Sequence, residues 1–402
     1  MRHIESFDHK IFWDMPSPKK FLLDVLRAAE EKGGCAIRMP KQVESSNIKI
    51  AVEHEMGLSA PQSVVFKVSS SDEVLSIIGR WANQDYLTMH SLGQNEFNGL
   101  KVLFLEPLCL TSLNECISFL SEIGSSDTQV CFKVIVLERG INPEVDTGEI
   151  TTFYFNGSIS EKELSAYLLI RFSSMGLEDE SGFYRLLVEE FAKFDPFFCE
   201  ELLLETQEAL LNEPERILKE KMTNRIGDCS TPSWVNGMIS APEGDFAHIL
   251  HHAYLAEHAD EEKREPAKRL IQQRMWRASM RALLPWIEER KSIIGQAFAT
   301  ELEDRSDKNG YIEYGKKDPS FPRRTRHWTA TEFGSLVAYV KHENLNCSSE
   351  FQKAVFDFAV QVAVVRNKIS HFQYPNYCDI KKMFWLYDSA QIKQNQLYSA
   401  RM

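Results

Sequence analysis

The sequence predicts an α/β domain with a mostly parallel sheet, followed by an all-α half. Two patterns lead to this reading. Short apolar runs alternate with helical stretches up to about residue 160, and after Ser158 the strand signal fades. From there almost to the end, apolar residues recur at helical spacing.

In the first part, Ser17 is expected to cap a helix. Pro18 suits the first helical position, and Phe21, Leu22, Val25, Leu26 and Ala29 share one face. Gly33 and Gly34 punctuate its end, and "CAIRMP", closed by Pro40, reads as the first strand. "SVVFKVSS" (from Ser63), "LKVLFLEPL" (from Leu100), "VCFKVIVLERG" (from Val130) and "TTFYFNG" (from Thr151) read as four more. "SDEVLSIIGRWANQ" and "SLNECISFLSEIG" supply helices between them, which is the alternation of a sheet covered on both faces.

The later helices begin with "EKELSAYLLIRF", "GFYRLLVEEFAKF", "FFCEELLLETQEALL" and "FAHILHHAYLAEH". A long stretch from Pro266 to Leu302, "ATEFGSLVAYVKH" and "FQKAVFDFAVQVAVVRNKISHF" complete them. Breaks are expected at "MTNRIGDCSTPSWVNG" and at "EYGKKDPSFPRRTRH", which carries two prolines and a cluster of cations. The organisation is therefore an α/β domain over 1–160, a helical connector over 161–240 and a helical domain over 241–402.

With 402 residues, 43% of them hydrophobic and 26% charged, the chain is long enough for two or three folded cores. A net charge of −12 argues against a protein that coats nucleic acid non-specifically, while leaving room for a local basic face. Eight scattered cysteines, without a C-x-x-C pair or Cys/His zinc spacing, suit a reducing compartment. "MRHIESFDHKIFWDMP" has no signal-peptide core and no apolar run reaches membrane-spanning length. The expectation is a cytoplasmic protein without membrane, metal or cofactor.

Glu106 ends "VLFLEP" and Glu138 ends "VIVLERG", the position where nucleotide-handling α/β domains keep the acid that holds magnesium or orients water. This order of elements resembles a P-loop NTPase core. The phosphate loop is missing: "KQVESSNIKIAVE" follows the first strand with no glycine, and Lys49 has no Ser or Thr beside it. The resemblance thus implies a non-hydrolysing docking or regulatory module, in which Glu106 and Glu138 are ordinary strand-end carboxylates.

In the helical half, His248 and His252 stand four residues apart, as a metal pair or as packed histidines. Arg274, Arg277 and Arg281 form a stripe, either solvated or gripping phosphate. Lys316, Lys317, Arg323, Arg324 and Arg326 are the stronger RNA-binding candidates, because they gather in one connection.

The remaining candidate is "RNKISH". Arg366 and His371 lie about 140° apart on an ideal helix, so a helix end or bend has to bring them together, and Phe372 and Pro375 mark such an end. Behind them runs the apolar stripe Val355, Phe358, Ala359, Val362 and Val365. The stretch resembles the R-x4-6-H motif of the HEPN superfamily, with Asn367 as the polar residue after the arginine. The resemblance implies a small helical bundle in which Arg366 stabilises a phosphate and His371 assists attack of an RNA 2′-OH without metal. It also implies two copies facing each other in a homodimer.

Other helical domains carry the same residues only to fix packing, so catalytic and non-catalytic readings both stand. An NTPase-like module ahead of a HEPN-like domain looks like a prokaryotic defence or stress-response component. Single-stranded RNA and other proteins of such a system are then the partners, and the alternative is a scaffold subunit of a multiprotein assembly.

Overall fold

A computed structural model describes residues 9–399, apart from 59–61, 71–72, 85, 95–96, 126–129, 141–147, 178, 180, 226–227, 240–246, 304–310, 314–323, 327–331 and 343–346. In chain order the elements begin with α1 (His9–Asp14), α2 (Pro16–Lys32), β1 (Gly34–Met39), α3 (Ser45–Met56) and β2 (Ser63–Val68). They continue with α4 (Val74–Trp81), α5 (Met89–Gln94), β3 (Val102–Pro107), α6 (Leu110–Ser125), β4 (Lys133–Arg139) and β5 (Thr152–Tyr154). Helices follow: α7 (Glu161–Met175), α8 (Phe183–Ala192), α9 (Pro196–Leu202), α10 (Gln207–Asn212), α11 (Pro214–Asn224), α12 (Ile249–His258) and α13 (Glu261–Glu289). After α14 (Ser292–Glu303) come β6 (Tyr311–Glu313), β7 (Arg324–Arg326), α15 (Phe333–His342), α16 (Glu350–Ser370) and α17 (Tyr377–Ser399).

The chain divides into two compact units that are not contiguous in sequence. The first comprises Met1–Leu177, Ala192–Leu204 and Leu218–Lys268, and the second Glu178–Phe191, Glu205–Ile217 and Arg269–Met402. This grouping runs across the linear boundaries at 160 and 240. Among the described residues no helix is long and apolar enough to cross a membrane.

All five strands expected in the first part form. They pair in the order β2-β3-β4-β1-β5, every pairing parallel. β1 is buried along its whole length, as a strand flanked on both sides and covered on both faces must be. Because β1 sits between β4 and β5 while β2 lies at the far edge, the chain direction across the sheet reverses at β1. In such sheets the crevice at the carboxyl ends of the strands beside that reversal is where ligands bind.

The start of α2 corrects one expectation. The helix begins at Pro16, Met15 is its N-cap, and no side chain caps it. Ser17 instead donates its backbone N–H and its hydroxyl to the Glu163 carboxylate, at 2.6 and 2.8 Å. Glu163 also completes a capping box on α7, accepting from the Ser160 N–H at 2.9 Å while the Ser160 hydroxyl accepts from the Glu163 N–H at 3.3 Å. One carboxylate therefore satisfies donors at the starts of two helices. Burial pushes its proton affinity up, but the hydrogen bonds from Ser160 and Ser17 outweigh that and hold the carboxyl below its ordinary value.

In the second unit α16 packs on α14, α15 and α17. The apolar stripe Val355, Phe358, Ala359, Val362 and Val365 is fully buried, as its spacing requires. Aromatic rings fill the centre: Phe358 meets Phe333 at 5.4 Å and Tyr387 at 5.3 Å, and Trp286 meets Phe384 at 4.7 Å. The Arg290 guanidinium lies 4.0 Å over the Trp286 ring. The expected break near Glu313 holds a short antiparallel strand pair, β6 with β7, so this half is not wholly helical.

Replacing Glu163 by Ala should lower stability by about 2 kcal/mol, since a charged acceptor and a capping box are lost together. Glu163 is an acid with a depressed folded-state pKa, so its contribution is present above the unfolded carboxylate value, about 4.3, and fades as pH falls through the folded value. Thermal melts of wild type and Glu163→Ala should therefore differ most near neutrality and converge in acid.

Candidate functional site

At the carboxyl end of the sheet, register places Arg38 of β1 directly beside Glu138 of β4. Arg38 Nε donates to Glu138 Oε2 at 2.8 Å, and the two residues are 2% and 1% exposed. Arg38 Nη1 also donates to the Tyr154 hydroxyl at 3.4 Å, and its guanidinium lies 5.8 Å from the centre of that ring. The second oxygen of Glu138 has no hydrogen-bond partner among the described residues. Burial pushes the Glu138 carboxyl above its usual range, and the charge and hydrogen bond of Arg38 offset part of that rise. Glu106, at the end of β3, is only half-buried and is in register with Lys67.

The loop that leaves β1 is where a P-loop protein would wrap phosphate with backbone N–H groups. Here that segment is hydrogen-bonded to distant parts of the chain. Lys41 N–H donates to Val235 O at 3.0 Å, and Lys41 O accepts from Arg139 Nε at 2.8 Å. The edge of Trp234 approaches Tyr154 with ring centres 5.9 Å apart. Two glycines allow the close fit. A Cβ on Gly140 would lie 2.3 Å from Lys41 Cγ, and one on Gly237 would lie 1.7 Å from Gln42 Nε2; both residues have positive φ. Lys49, on the following helix, pairs with Glu53 at 3.6 Å.

At the other candidate, α16 ends at Ser370 and His371 is its C-cap. Asn367 and His371 are exposed and Arg366 is half-buried. Nη1 of Arg366 donates to Glu332, whose carboxylate also accepts from Lys291 Nζ at 3.1 Å. Burial acts to raise the Glu332 pKa, but hydrogen bonds from Lys291 and Arg366 hold the carboxyl below its ordinary value. Trp276 Nε1 donates to Ile369 O at 2.7 Å, tying α13 to this helix end. The three residues thus share one helix end, with Arg366 engaged internally and the other two open to solvent.

The remaining candidates fall in several places. Arg324 and Arg326 belong to β7, whereas Lys316, Lys317 and Arg323 lie outside the described residues. Arg274 is buried, donating to Phe191 O at 3.0 Å, and burial lowers its pKa to about 10. Arg281 bridges Glu189 and Glu190 at 2.7 and 2.9 Å. Two of the three stripe arginines are therefore structural, and a stripe gripping phosphate does not form.

His248 caps α12 by accepting Leu250 N–H on Nδ1 at 3.2 Å, which leaves Nε2 facing Asp195 Oδ2 at 3.4 Å. Asp195 also accepts from Arg225 Nη2 at 2.8 Å. Burial would raise the Asp195 pKa, but the charges of Arg225 and His248 hold its carboxyl well below the usual range. His251 Nδ1 lies 2.9 Å from Cys229 O.

Sequence reasoning missed Arg38, Tyr154 and the segment Ser233–Met238. A signal was present: an arginine inside the otherwise apolar "CAIRMP" needs a partner, and Glu138 occupies the matching place in "VIVLERG".

Glu138→Leu should cost about 3–5 kcal/mol because Arg38 is left charged and buried, whereas Arg38→Leu combined with Glu138→Leu should recover much of that loss. Urea denaturation of the two variants measures both values.

No protein-family model matches the chain, and no curated protein matches it. Among solved structures, the Walker-type ATPase PABY2304 of Pyrococcus abyssi aligns over 52% of this chain and 73% of its own, with 9% identity and a TM-score of 0.34. A structure of Drosophila ORC bound to GC-rich DNA and Cdc6 aligns over 95% of this chain and 70% of its own, with 11% identity and a TM-score of 0.28.

Proposed function

We propose that the first unit is an NTPase-like module that has given up nucleotide and serves as a docking or regulatory body for a helical domain in a multiprotein assembly of the defence or stress-response kind. The observation that carries this reading is the phosphate-loop segment hydrogen-bonded to distant parts of the chain. Lys41 N–H already bonds to Val235 O, and the buried Arg38–Glu138 pair lies at the carboxyl ends of β1 and β4. A phosphate entering there would have to displace protein hydrogen bonds and would find no glycine-rich turn in return. Calorimetric titration with magnesium-ATP should give no heat of binding, and Glu106→Gln should leave any measured activity unchanged. Micromolar affinity for ATP would overturn the reading.

A second reading concerns the helical domain. In it Arg366, Asn367 and His371 form a metal-independent endoribonuclease site of HEPN type, completed in a homodimer, with Lys316, Lys317, Arg323, Arg324 and Arg326 collecting the RNA. The exposure of Asn367 and His371 beside Arg366 favours it, because a general acid or base has to reach its substrate. Cleavage of single-stranded RNA should then persist in EDTA and be abolished both in the Arg366→Ala, His371→Ala double variant and in His371→Ala alone, the latter with an unchanged melting temperature because that side chain is exposed. Absence of cleavage by the wild-type chain at any concentration leaves the docking reading for both parts.

A further inference from the structure

The end of α16 holds an aromatic residue where glycine is the usual choice. Gln373 N–H donates to Lys368 O at 2.8 Å and Phe372 N–H to Ile369 O at 3.1 Å, the two bonds of a Schellman termination. The residue that has to turn left-handed in this motif is Phe372, at φ 57°. A bulky side chain at positive φ is strained, and such strain persists where something else repays it. Among the described residues one other aromatic shares the feature: Phe97, at φ 33°. It is only 6% exposed and packs edge-on against Phe132 at 5.6 Å, so burial offsets its strain. Phe372 is 76% exposed and gains little from burial.

What Phe372 does have is a defined aromatic neighbour. Its ring centre lies 5.1 Å from that of Trp276, and the indole is fixed by its hydrogen bond to Ile369 O. Beside Phe372 in the chain, the same helix end carries exposed residues with hydrogen-bonding side chains: Asn367, His371 and Gln373. Arg269, Gln272 and Gln273 precede Trp276 by seven, four and three residues, so they lie on its face of α13, and all three are exposed. The two carboxylates at this helix end, Glu332 and Asp379, are engaged by Arg366 and Lys368. A rigid aromatic face bordered by amide, imidazole and guanidinium groups suits a planar ligand that carries hydrogen-bonding edges and phosphate.

We propose that Phe372, backed by Trp276, is a stacking platform for a base of single-stranded RNA at the Arg366–Asn367–His371 end of α16. This rests on the ribonuclease reading of that site and adds the group that holds the substrate there. Stacking makes no demand on base identity, so the platform binds single strands without strong sequence preference. The left-handed turn is what aims the ring outward, and the stability it costs is the price of the binding face.

The test uses the full chain in two assays, thermal melting and fluorescence anisotropy with a labelled oligouridine at low salt. Binding is measured on the His371→Ala background so that the RNA stays intact. Phe372→Gly relieves the strain and should melt about 1–4 °C higher. The same change should weaken RNA binding by about 5- to 100-fold, while Phe372→Tyr should keep both wild-type values.

A gain in stability together with a loss of binding is the expected result, and a role confined to packing would not produce it. Unchanged binding by Phe372→Gly, with cleavage intact in the wild-type chain, overturns the platform and leaves the ribonuclease reading standing. Failure of the wild-type chain either to bind or to cleave oligouridine overturns both. If RNA binding is absent and Phe372→Gly alters the sedimentation of the chain, the ring is a protein contact and the proposal is wrong.

Discussion

A guanidinium and a carboxylate buried side by side in a parallel sheet fix the register of the central strands of the first unit. Arg38 and Glu138 face each other in register, so sliding β1 by one residue against β4 would leave each charge buried without its partner. Such a state is disfavoured by several kcal/mol per ion, which is ample to specify one register. The rest of the strand-end architecture is built onto that pair. Tyr154 accepts from Arg38, Trp234 rests against Tyr154, and Val235 takes the backbone donor of Lys41.

The helical unit uses charge differently. Glu332 gathers Lys291 and Arg366, and Lys368 pairs with Asp379, so the cations near the end of α16 are held by acids of the same unit. The side chains of Asn367 and His371 are the ones left to solvent. Deeper in the unit, Arg281 with Glu189 and Glu190, and Arg274 on the carbonyls of residues 190 and 191, occupy charges that a reading by helical spacing leaves open.

The fold was largely legible in the sequence because its signals are local. Five apolar runs gave five strands, and the stripe from Val355 to Val365 gave the buried face of α16. The start of α2 was misread because Ser17 finds its acceptor in Glu163, 146 residues away, and no local rule reports that. The same reason hid the strand-end arrangement. The missing glycines after β1 are visible in the sequence, but what replaces them is contributed by Ser233–Met238, far along the chain. Arg366, Asn367 and His371 were legible as a cluster at a helix end, while the internal use of Arg366 depends on Glu332 and was not.

The strand order also has a consequence for how the chain is made. β1 is made before the other four strands of its sheet, yet its neighbours there are the last two of the five, β4 and β5. Until residue 139 has been synthesised neither edge of this buried strand can pair, until residue 154 one edge stays open, and α2 still lacks the carboxylate of Glu163. Contacts of such long sequence separation form slowly, and unpaired strand edges are sticky in the meantime. Cells making this protein should therefore hold the nascent first domain on chaperones for longer than its size alone would require, and truncations that end before β5 should accumulate as aggregates rather than as a smaller folded domain.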